Sequence, residues 1–168
     1  EPELAKSYFE IAENQKVLLI TGGSQGSRLI NETIRPLYKK IINDLDLTII
    51  HLSGPGFYEQ ITNSLDEEEK ELAASNRLLI KGYLSEMEMA LNAADIIISR
   101  AGASFICELI ATKSYSILIP IKNSANNHQL KNAKSVEKAG MGRILEEDEL
   151  DSEKLFATLS SLRPFEFD

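Results

Sequence analysis

The first segment with residues suited to chemistry is the run Thr-Gly-Gly-Ser-Gln-Gly-Ser at residues 21–27, directly after a short apolar stretch. Glycines let a backbone come close to an anion, and the free N–H groups at the start of a following helix can bind phosphate. The spacing is not G-x-G-x-x-G, and Ser27 and Arg28 stand where a P-loop has its Lys-Ser/Thr pair. Phosphate or sugar binding therefore competes with a tight turn that merely uses glycine.

A second segment of the same kind is Ser-Arg-Ala-Gly-Ala-Ser at residues 99–104. Its small residues leave N–H groups exposed at a helix start, where anions bind. Glu108 follows about one helical turn later and could accept hydrogen bonds from two neighbouring sugar hydroxyls, or it is a solvated surface glutamate. Arg100 has two possible partners as well, a phosphate or one of the many acidic side chains.

The third segment groups amides with an imidazole at Asn126, Asn127, His128 and Gln129, with Asn132 further along. Such groups suit the recognition of hydroxyls and carbonyls better than bond-making chemistry, although a polar helix start would look the same. The sequence shows no serine or cysteine nucleophile with a positioned base, and no pair of carboxylates placed for hydrolysis. We therefore predict no catalytic residue in this chain.

The elements that must position these segments alternate along the chain between short apolar runs and helix-like patterns. Strands are predicted at residues 17–20, 47–50, 77–80, 96–98, 117–119 and 143–145. Helices are predicted at residues 27–43, 66–74, 85–93, 104–112, 126–139 and 151–162. Ser85 and Glu88 have the spacing of a capping box at the third of these helices.

This alternation predicts an α/β fold, a doubly wound parallel six-stranded sheet of Rossmann-like type with helices on both faces. Ligands of such sheets bind beyond the carboxyl ends of the strands, near the point where strand order reverses. All three segments follow predicted strands. Their shared position strengthens the case for one binding site.

Composition limits the other possibilities. The 168 residues, 43% hydrophobic and 26% charged, fit one globular domain spanning residues 1–168. A net charge of -8 without a basic stripe disfavours nucleic acid as a partner. The single cysteine, Cys107, fits a reducing cytoplasm, and the two histidines and one cysteine offer no zinc spacing. No apolar run approaches the roughly 20 residues of a membrane span, and the start at Glu1 without methionine suggests a piece of a longer protein.

Four segments in order resemble a known family. They are VLLITGGSQGSRLIN at 17–31, HLSGPG at 51–56, GYLSEMEMALNAADIIISRAGASFICEL at 82–109 and ILIPIKNSANNHQLKNAKSVEKAG at 117–140. This combination is similar to the carboxy-terminal domain of the MurG-type N-acetylglucosaminyltransferases, which have the GT-B fold. The resemblance runs from about Lys16 to Leu150.

The resemblance implies an inverting transfer of N-acetylglucosamine (GlcNAc) from UDP-GlcNAc to lipid I, forming lipid II in peptidoglycan synthesis. In this family the carboxy-terminal domain binds the donor, and no metal or cofactor is expected. Carried over by position, Tyr83, Leu84 and Met87 are implied at the uracil, Leu84 through its backbone, and Glu108 at the ribose hydroxyls. Ser24, Ala103, Ser104 and Phe105 are implied around the diphosphate, and His128 and Gln129 at the GlcNAc hydroxyls. The predicted substrate-binding residues also include Gly23, Gln25, Arg100 and Asn127.

Some positions depart from the family pattern. Phe105 stands where a small or hydroxylic residue is usual, so no side-chain hydroxyl can contact phosphate there. Lys113 and Tyr115 stand where Gly and Pro are common, and Asn126 replaces a common Asp. These departures leave another UDP-sugar open as the donor.

The resemblance also implies what else the enzyme needs. The family's amino-terminal domain binds the lipid-linked acceptor and supplies the general base, and 168 residues cannot hold it. We therefore expect no turnover by this chain alone, and a peripheral place on the cytoplasmic face of the bacterial membrane for the whole enzyme. Two alternatives stay open: the donor domain of another GT-B glycosyltransferase, and a separate nucleotide-sugar-binding subunit.

Overall fold

A computed structural model describes residues 1–162 of the chain. Its six strands are β1 Lys16–Thr21, β2 Leu47–Leu52, β3 Leu78–Lys81, β4 Ile96–Ser99, β5 Tyr115–Leu118 and β6 Gly142–Ile144. They form one sheet in the order β3-β2-β1-β4-β5-β6, and every neighbouring pair is parallel. The predicted doubly wound six-stranded sheet is confirmed.

Helices cover both faces of this sheet. They are α1 Pro2–Tyr8, α2 Arg28–Ile34, α3 Tyr38–Leu45, α4 Tyr58–Asn63, α5 Glu67–Ala74, α6 Met87–Ala93, α7 Ala103–Thr112, α8 His128–Lys138 and α9 Ser152–Ser161. The helices α1 and α4 were not expected from the sequence. Each is short, so neither gives a long period of apolar residues.

Strand β1 shows why the sheet is buried on both sides. Leu18 and Ile20 pack into one apolar cluster, while Val17 and Leu19 pack into the other. Successive strand residues point to opposite faces, so a strand covered on both faces must be apolar at every position. Each fully buried Leu or Ile contributes about 1.5–3 kcal/mol to folding. The continuous apolar run is therefore the sequence signature of a central strand.

The predicted helix at residues 27–43 is wrong as one continuous element. A 3₁₀ turn at Arg35–Leu37 separates α2 from α3. Pro36 has no N–H group for an i→i−4 hydrogen bond, and its ring crowds the preceding turn. Tyr38, the first residue of α3, is fully buried.

The predicted capping box at Ser85 is also wrong. Helix α6 begins after Glu86, without a side-chain cap, and the Ser85 hydroxyl donates to the Glu86 carboxylate instead. The real capping box lies at α5, where Asp66 accepts from the Glu69 N–H at 2.9 Å and Glu69 accepts from the Asp66 N–H at 2.9 Å. The spacing of the residue types alone did not distinguish the two helices.

Lys113 ends α7 with φ of 60°, in the left-handed region that glycine adopts without a steric penalty. The glycine that the resemblance implies at this position would adopt this conformation freely. A lysine in this conformation lowers the stability of the folded chain by about 1 kcal/mol. The departure affects the carboxyl end of α7, whereas the predicted contact residues of α7 lie in its first two turns.

Candidate functional site

The carboxyl ends of all six strands lie at one edge of the sheet, since every strand pair is parallel. From β1 the chain proceeds outward through β2 and β3, and then returns to β4 on the other side of β1. Strand order therefore reverses between β1 and β4. The loops that follow these two strands flank the crevice in which doubly wound proteins bind their ligands.

The loop after β1 makes a tight turn closed by its own backbone. The Gly26 N–H donates to the Gly23 carbonyl at 3.1 Å, and the Gly23 N–H donates to the Thr21 hydroxyl at 3.2 Å. Gly23 and Gly26 have φ of 95° and 79°, respectively. The side chains of Ser24 and Gln25 are exposed at the tip of this turn, in reach of a ligand.

This loop packs directly against the loop after β2. A Cβ atom added to Gly26 would lie 2.1 Å from the Ser53 carbonyl oxygen, and one added to Gly54 would lie 2.2 Å from the Gln25 carbonyl oxygen. The two backbones thus touch where side chains would otherwise keep them apart. This contact fixes the height of the glycine turn above the sheet.

Arg100 follows β4 and joins several loops. Its guanidinium donates to the Glu147 carboxylate at 2.6 Å, to the Ser27 hydroxyl at 3.1 Å and to the Ile119 carbonyl at 3.2 Å. Of the two partners left open by the sequence, the structure shows the acidic one. Ser27 also accepts from the Ile30 N–H at 3.3 Å as the N-cap of α2, so Arg100 links the two loops that flank the crevice.

The start of α7 presents small residues to solvent. Gly102 is the N-cap and provides no side-chain cap, while Ala103 and Ser104 are exposed. Phe105 is partly buried and packs against the apolar cluster beneath α7. Its aromatic side chain therefore belongs to the core, and its backbone N–H is the group it offers near the helix start.

Glu108 and Met87 line the same groove between α6 and α7. The groove has a volume of about 650 Å³, and Glu88, Asn92 and Ala111 lie along it as well. The Glu108 side chain is exposed to solvent. Two residues 21 positions apart in the sequence, one apolar and one a carboxylate, are thus brought to one concave surface.

Tyr83 and Leu84 precede this groove without lining it. Tyr83 is 64% exposed, whereas Leu84 is buried and packs with the α6–α7 side of the core. With its side chain buried, Leu84 has only backbone groups to offer a ligand. The backbone contact with uracil that the sequence resemblance implies for Leu84 stays a prediction.

The loop after β5 carries the amides and His128. Asn126 and Asn127 both adopt left-handed conformations, with φ of 53° and 54°, and α8 begins at the exposed His128. The predicted helix start at residue 126 is therefore two residues early. Asparagine tolerates the left-handed region better than most residues because its short side chain can hydrogen-bond locally.

Gln129 has a structural task that the sequence did not reveal. Its side-chain oxygen accepts from the Ile121 N–H at 2.9 Å and from the Ala101 N–H at 3.3 Å. Asn132 supports the same junction by donating to the Ala101 carbonyl at 3.0 Å. These bonds tie the loop after β5 to the loop after β4, which places His128 near the same edge as Ala103 and Ser104.

Residues 17–166 match the family model described as the glycosyltransferase family 28 C-terminal domain. The chain belongs to this family. The match covers the sheet and the strand-end loops.

The curated relatives of this family 28 domain are longer proteins. One from Natranaerobius thermophilus is 36% identical over 92% of this chain, and one from Clostridium perfringens is 38% identical over 96%. Both are named UDP-N-acetylglucosamine--N-acetylmuramyl-(pentapeptide) pyrophosphoryl-undecaprenol N-acetylglucosamine transferase. The chain spans 42% and 43% of their lengths.

Solved structures agree with the family 28 assignment. The crystal structure of Acinetobacter baumannii MurG superposes with a TM-score of 0.73 at 27% identity, over 95% of this chain and 45% of that one. The ADP-heptose lipopolysaccharide heptosyltransferase II of Escherichia coli superposes with a TM-score of 0.68 at 10% identity. The second likeness concerns the fold alone and extends it to other glycosyltransferases.

Within residues 1–162, no three His, Cys, Asp or Glu side chains come together in a way that would hold a metal ion. In the same residues, no helix has both the length and the apolar character needed to cross a bilayer.

Sequence reasoning missed one buried polar group near the site. His51 in β2 is fully buried and hydrogen-bonded to Tyr38 and to Asn31, the latter at 2.8 Å. Burial, and to a smaller extent the charge of Arg35, lowers the pKa of His51 to about 3, so its ring is neutral. A lone histidine within an apolar strand was the only signal of this arrangement in the sequence.

Proposed function

We propose that this chain holds UDP-GlcNAc as the donor-binding domain of a glycosyltransferase that transfers GlcNAc to lipid I. The product would be lipid II, used in peptidoglycan synthesis. Family membership and the names of the relatives support this proposal. The observation that carries it is the meeting of the glycine turn, the start of α7 and the start of α8 at the edge where strand order reverses.

The diphosphate of the donor belongs between the loop after β1 and the start of α7. Gly23, Ser24 and Gln25 offer an exposed turn, and Ala103 and Ser104 offer exposed groups at the start of a ten-residue helix. Partial positive charge at such a helix start stabilises phosphate and the developing charge of departing UDP. The proposal assigns this task to N–H groups and requires no metal or cofactor.

Two further residues, Phe105 and Arg100, are assigned to the diphosphate site, the first through its backbone and the second through the loops that it holds. Phe105 contributes its N–H group, because its partly buried ring packs against the core. Arg100 keeps Ser27 and Glu147 in place, since its guanidinium is already bonded to both.

The nucleoside belongs at the groove between α6 and α7. Glu108 accepts hydrogen bonds from the two ribose hydroxyls, as its exposed carboxylate has free acceptor capacity. Met87 packs against the base from α6, and the Leu84 backbone pairs with the uracil edge. Tyr83, which is 64% exposed, covers the base from the outside.

The sugar belongs at the start of α8. His128 is exposed there and can hydrogen-bond with GlcNAc hydroxyls. Asn127 adjoins it, and the NH₂ group of Gln129 remains on the same side chain whose oxygen holds two backbone N–H groups. These polar groups select the sugar because an unmatched hydroxyl would leave one of them without a partner.

The acceptor and the general base are assigned to the part of the enzyme that corresponds to the rest of the relatives' length. This chain spans 42% of the first relative, and we assign lipid I binding to the remainder. Because that acceptor carries undecaprenol, the whole enzyme would work at the cytoplasmic face of the bacterial membrane. The 168-residue chain by itself would bind donor and would not transfer sugar.

Calorimetric titration of the 168-residue chain with UDP, UDP-GlcNAc, UDP-N-acetylgalactosamine, UDP-glucose and GDP tests the proposal. We expect UDP to bind, GDP to bind at least tenfold more weakly, and UDP-GlcNAc to bind more tightly than the other UDP-sugars. A transfer assay with a lipid I analogue should show no product. Absence of UDP binding would reject the donor role, and preference for another UDP-sugar would indicate a different glycosyltransferase of the same fold.

A further inference from the structure

A chain of buried hydrogen bonds runs from α3 to the loop after β2. The Tyr38 hydroxyl bonds to Nδ1 of His51, and Nε2 of His51 bonds to the side-chain oxygen of Asn31 at 2.8 Å. The side-chain nitrogen of Asn31 donates to the Ser53 carbonyl at 2.9 Å. All four residues are buried, with at most 5% of each exposed, so water does not compete for these bonds.

Every donor in this chain points the same way. Asn31 must direct its NH₂ group at the Ser53 carbonyl, because its own oxygen there would face another acceptor. Its oxygen then accepts from His51, which fixes the proton on Nε2 and leaves Nδ1 to accept from Tyr38. Burial raises the pKa of the Tyr38 hydroxyl and lowers that of His51 to about 3. Tyr38 therefore stays a donor, and His51 stays neutral.

The end of the chain lies against the glycine turn. The Ser53 carbonyl that Asn31 holds occupies the space where a side chain on Gly26 would begin, 2.1 Å from an ideal Cβ position. The next residue, Gly54, contacts the Gln25 carbonyl in the same manner. Asn31 also follows Ser27 by one helical turn and donates its N–H to the Ser27 carbonyl at 2.9 Å. Asn31 is thus hydrogen-bonded to Ser53 on one side of the contact and to Ser27 on the other.

We propose that Asn31, His51 and Tyr38 are positioning residues that set the affinity of the exposed turn Gly23–Gln25 for the diphosphate of a nucleotide. None of the three offers a polar side-chain atom to the ligand, because each is buried and engaged within the protein. They act by holding Ser53 against Gly26, which holds the turn. This inference rests on the proposed function, which places the diphosphate at that turn.

Binding of UDP compared with uridine separates this role from general stability. Both ligands share the nucleoside, so the ratio of their affinities reports the diphosphate contacts alone. We expect Asn31→Ala to lower the affinity for UDP about tenfold and to leave the affinity for uridine unchanged. Tyr38→Phe, at the far end of the chain, should lower the UDP-to-uridine ratio about threefold, since His51 then keeps its bond to Asn31 but loses its own anchor.

Ser114→Ala is the matched control. Ser114 is buried and donates to the Ala94 carbonyl at 3.2 Å, just before β5 begins and thus at the opposite edge of the sheet. The Ser114→Ala substitution removes a buried hydrogen bond and leaves the glycine turn unchanged. The UDP-to-uridine ratio should equal that of the unaltered chain.

The outcomes are distinct. An unchanged ratio in folded Asn31→Ala, or an equal fall for both ligands, overturns the inference while the proposed function stands. If Asn31→Ala does not fold, the ratio in Tyr38→Phe decides in the same way. Equal affinity of the unaltered chain for UDP and uridine overturns the diphosphate assignment itself, and this inference with it.

Discussion

The glycine turn after β1 and the groove between α6 and α7 are built in opposite ways. The turn rests on buried contacts, with Gly26 against the Ser53 carbonyl and Asn31 holding that carbonyl from below. The groove presents exposed side chains such as Glu108 and Glu88. The turn is fixed by the fold before any ligand arrives, whereas the carboxylates of the groove are exposed groups that the fold does not need.

This difference separates two kinds of mutational effect. Changes beneath the glycine turn should lower both the free energy of unfolding and ligand affinity, because the same contacts serve both. Changes in the groove should lower affinity alone, since exposed side chains contribute little to stability. Three predictions test this contrast.

The largest effect is expected for Gly26→Ala. A methyl group there would lie 2.1 Å from the Ser53 carbonyl, at a φ of 79° that alanine tolerates poorly. We expect the free energy of unfolding to fall by about 3 kcal/mol or more, from strain and a backbone shift together. Urea denaturation followed by circular dichroism measures it.

Gly23→Ala is the matched control for that change. Gly23 has a φ of 95°, and a Cβ atom there would have nothing within 4 Å. Its cost should be the conformational strain alone, about 1–2 kcal/mol. Equal losses for the two variants would show that the contact with Ser53 does not matter.

An intermediate effect, confined to binding, is expected for Glu108→Ala. Loss of its carboxylate should weaken UDP binding by about 1–3 kcal/mol, because the ribose hydroxyls lose their acceptor. The free energy of unfolding should stay within about 0.5 kcal/mol of the original, since Glu108 is exposed. Calorimetry and urea denaturation measure the two quantities.

Glu88→Ala controls for charge in the same groove. Glu88 is exposed and lines the groove from α6. The Glu88→Ala substitution removes one negative charge and keeps the proposed ribose contact. The affinity for UDP should therefore stay the same or rise slightly. A loss as large as that of Glu108→Ala would reject the specific ribose role.

The smallest effect concerns pH and the buried support of the turn. His51 has a pKa of about 3 in the folded chain, against an ordinary value of 6.5. Below pH 6.5 the unfolded chain binds a proton at His51 that the folded chain does not, so stability falls as pH falls. The expected loss is about 1.5 kcal/mol between pH 6.5 and 5, approaching about 1.4 kcal/mol per unit.

Urea denaturation at a series of pH values measures this slope, with His51→Gln as the control. The variant lacks the titrating ring, so its stability should depend less on pH over that range. Equal slopes in both proteins would contradict the assignment of a buried neutral histidine. A lower overall stability of the variant does not affect the comparison of slopes.

Much of the fold was predictable because its signals are local. The six apolar runs and the strand-end glycines indicated the parallel sheet, and each strand was found within two residues of its expected position. Elements with weaker local signals were missed or misplaced. Pro36 breaks a helix that apolar periodicity alone would continue, and Asp66 rather than Ser85 makes the capping box.

The residue types of the candidate site were also visible in the sequence, but their partners were not. A strand-end arginine, an amide in a helix start and a histidine in an apolar strand each allow several roles. In the structure Arg100 forms an ion pair with Glu147, and the side-chain oxygen of Gln129 accepts hydrogen bonds from two backbone N–H groups. Those partners are 47 and up to 28 residues away along the chain.

The sequence by itself thus determined the layered α/β architecture, the edge at which a ligand would bind and, through its four family-like segments, the expected donor. Only the tertiary structure decided that Phe105 faces the core and that Asn31, His51 and Tyr38 lie linked beneath the glycine turn. The physical reason is the separation along the chain over which each kind of interaction acts. Hydrophobic periodicity and turn chemistry act between near neighbours, whereas a buried hydrogen bond joins whichever residues the packed sheet and helices bring together.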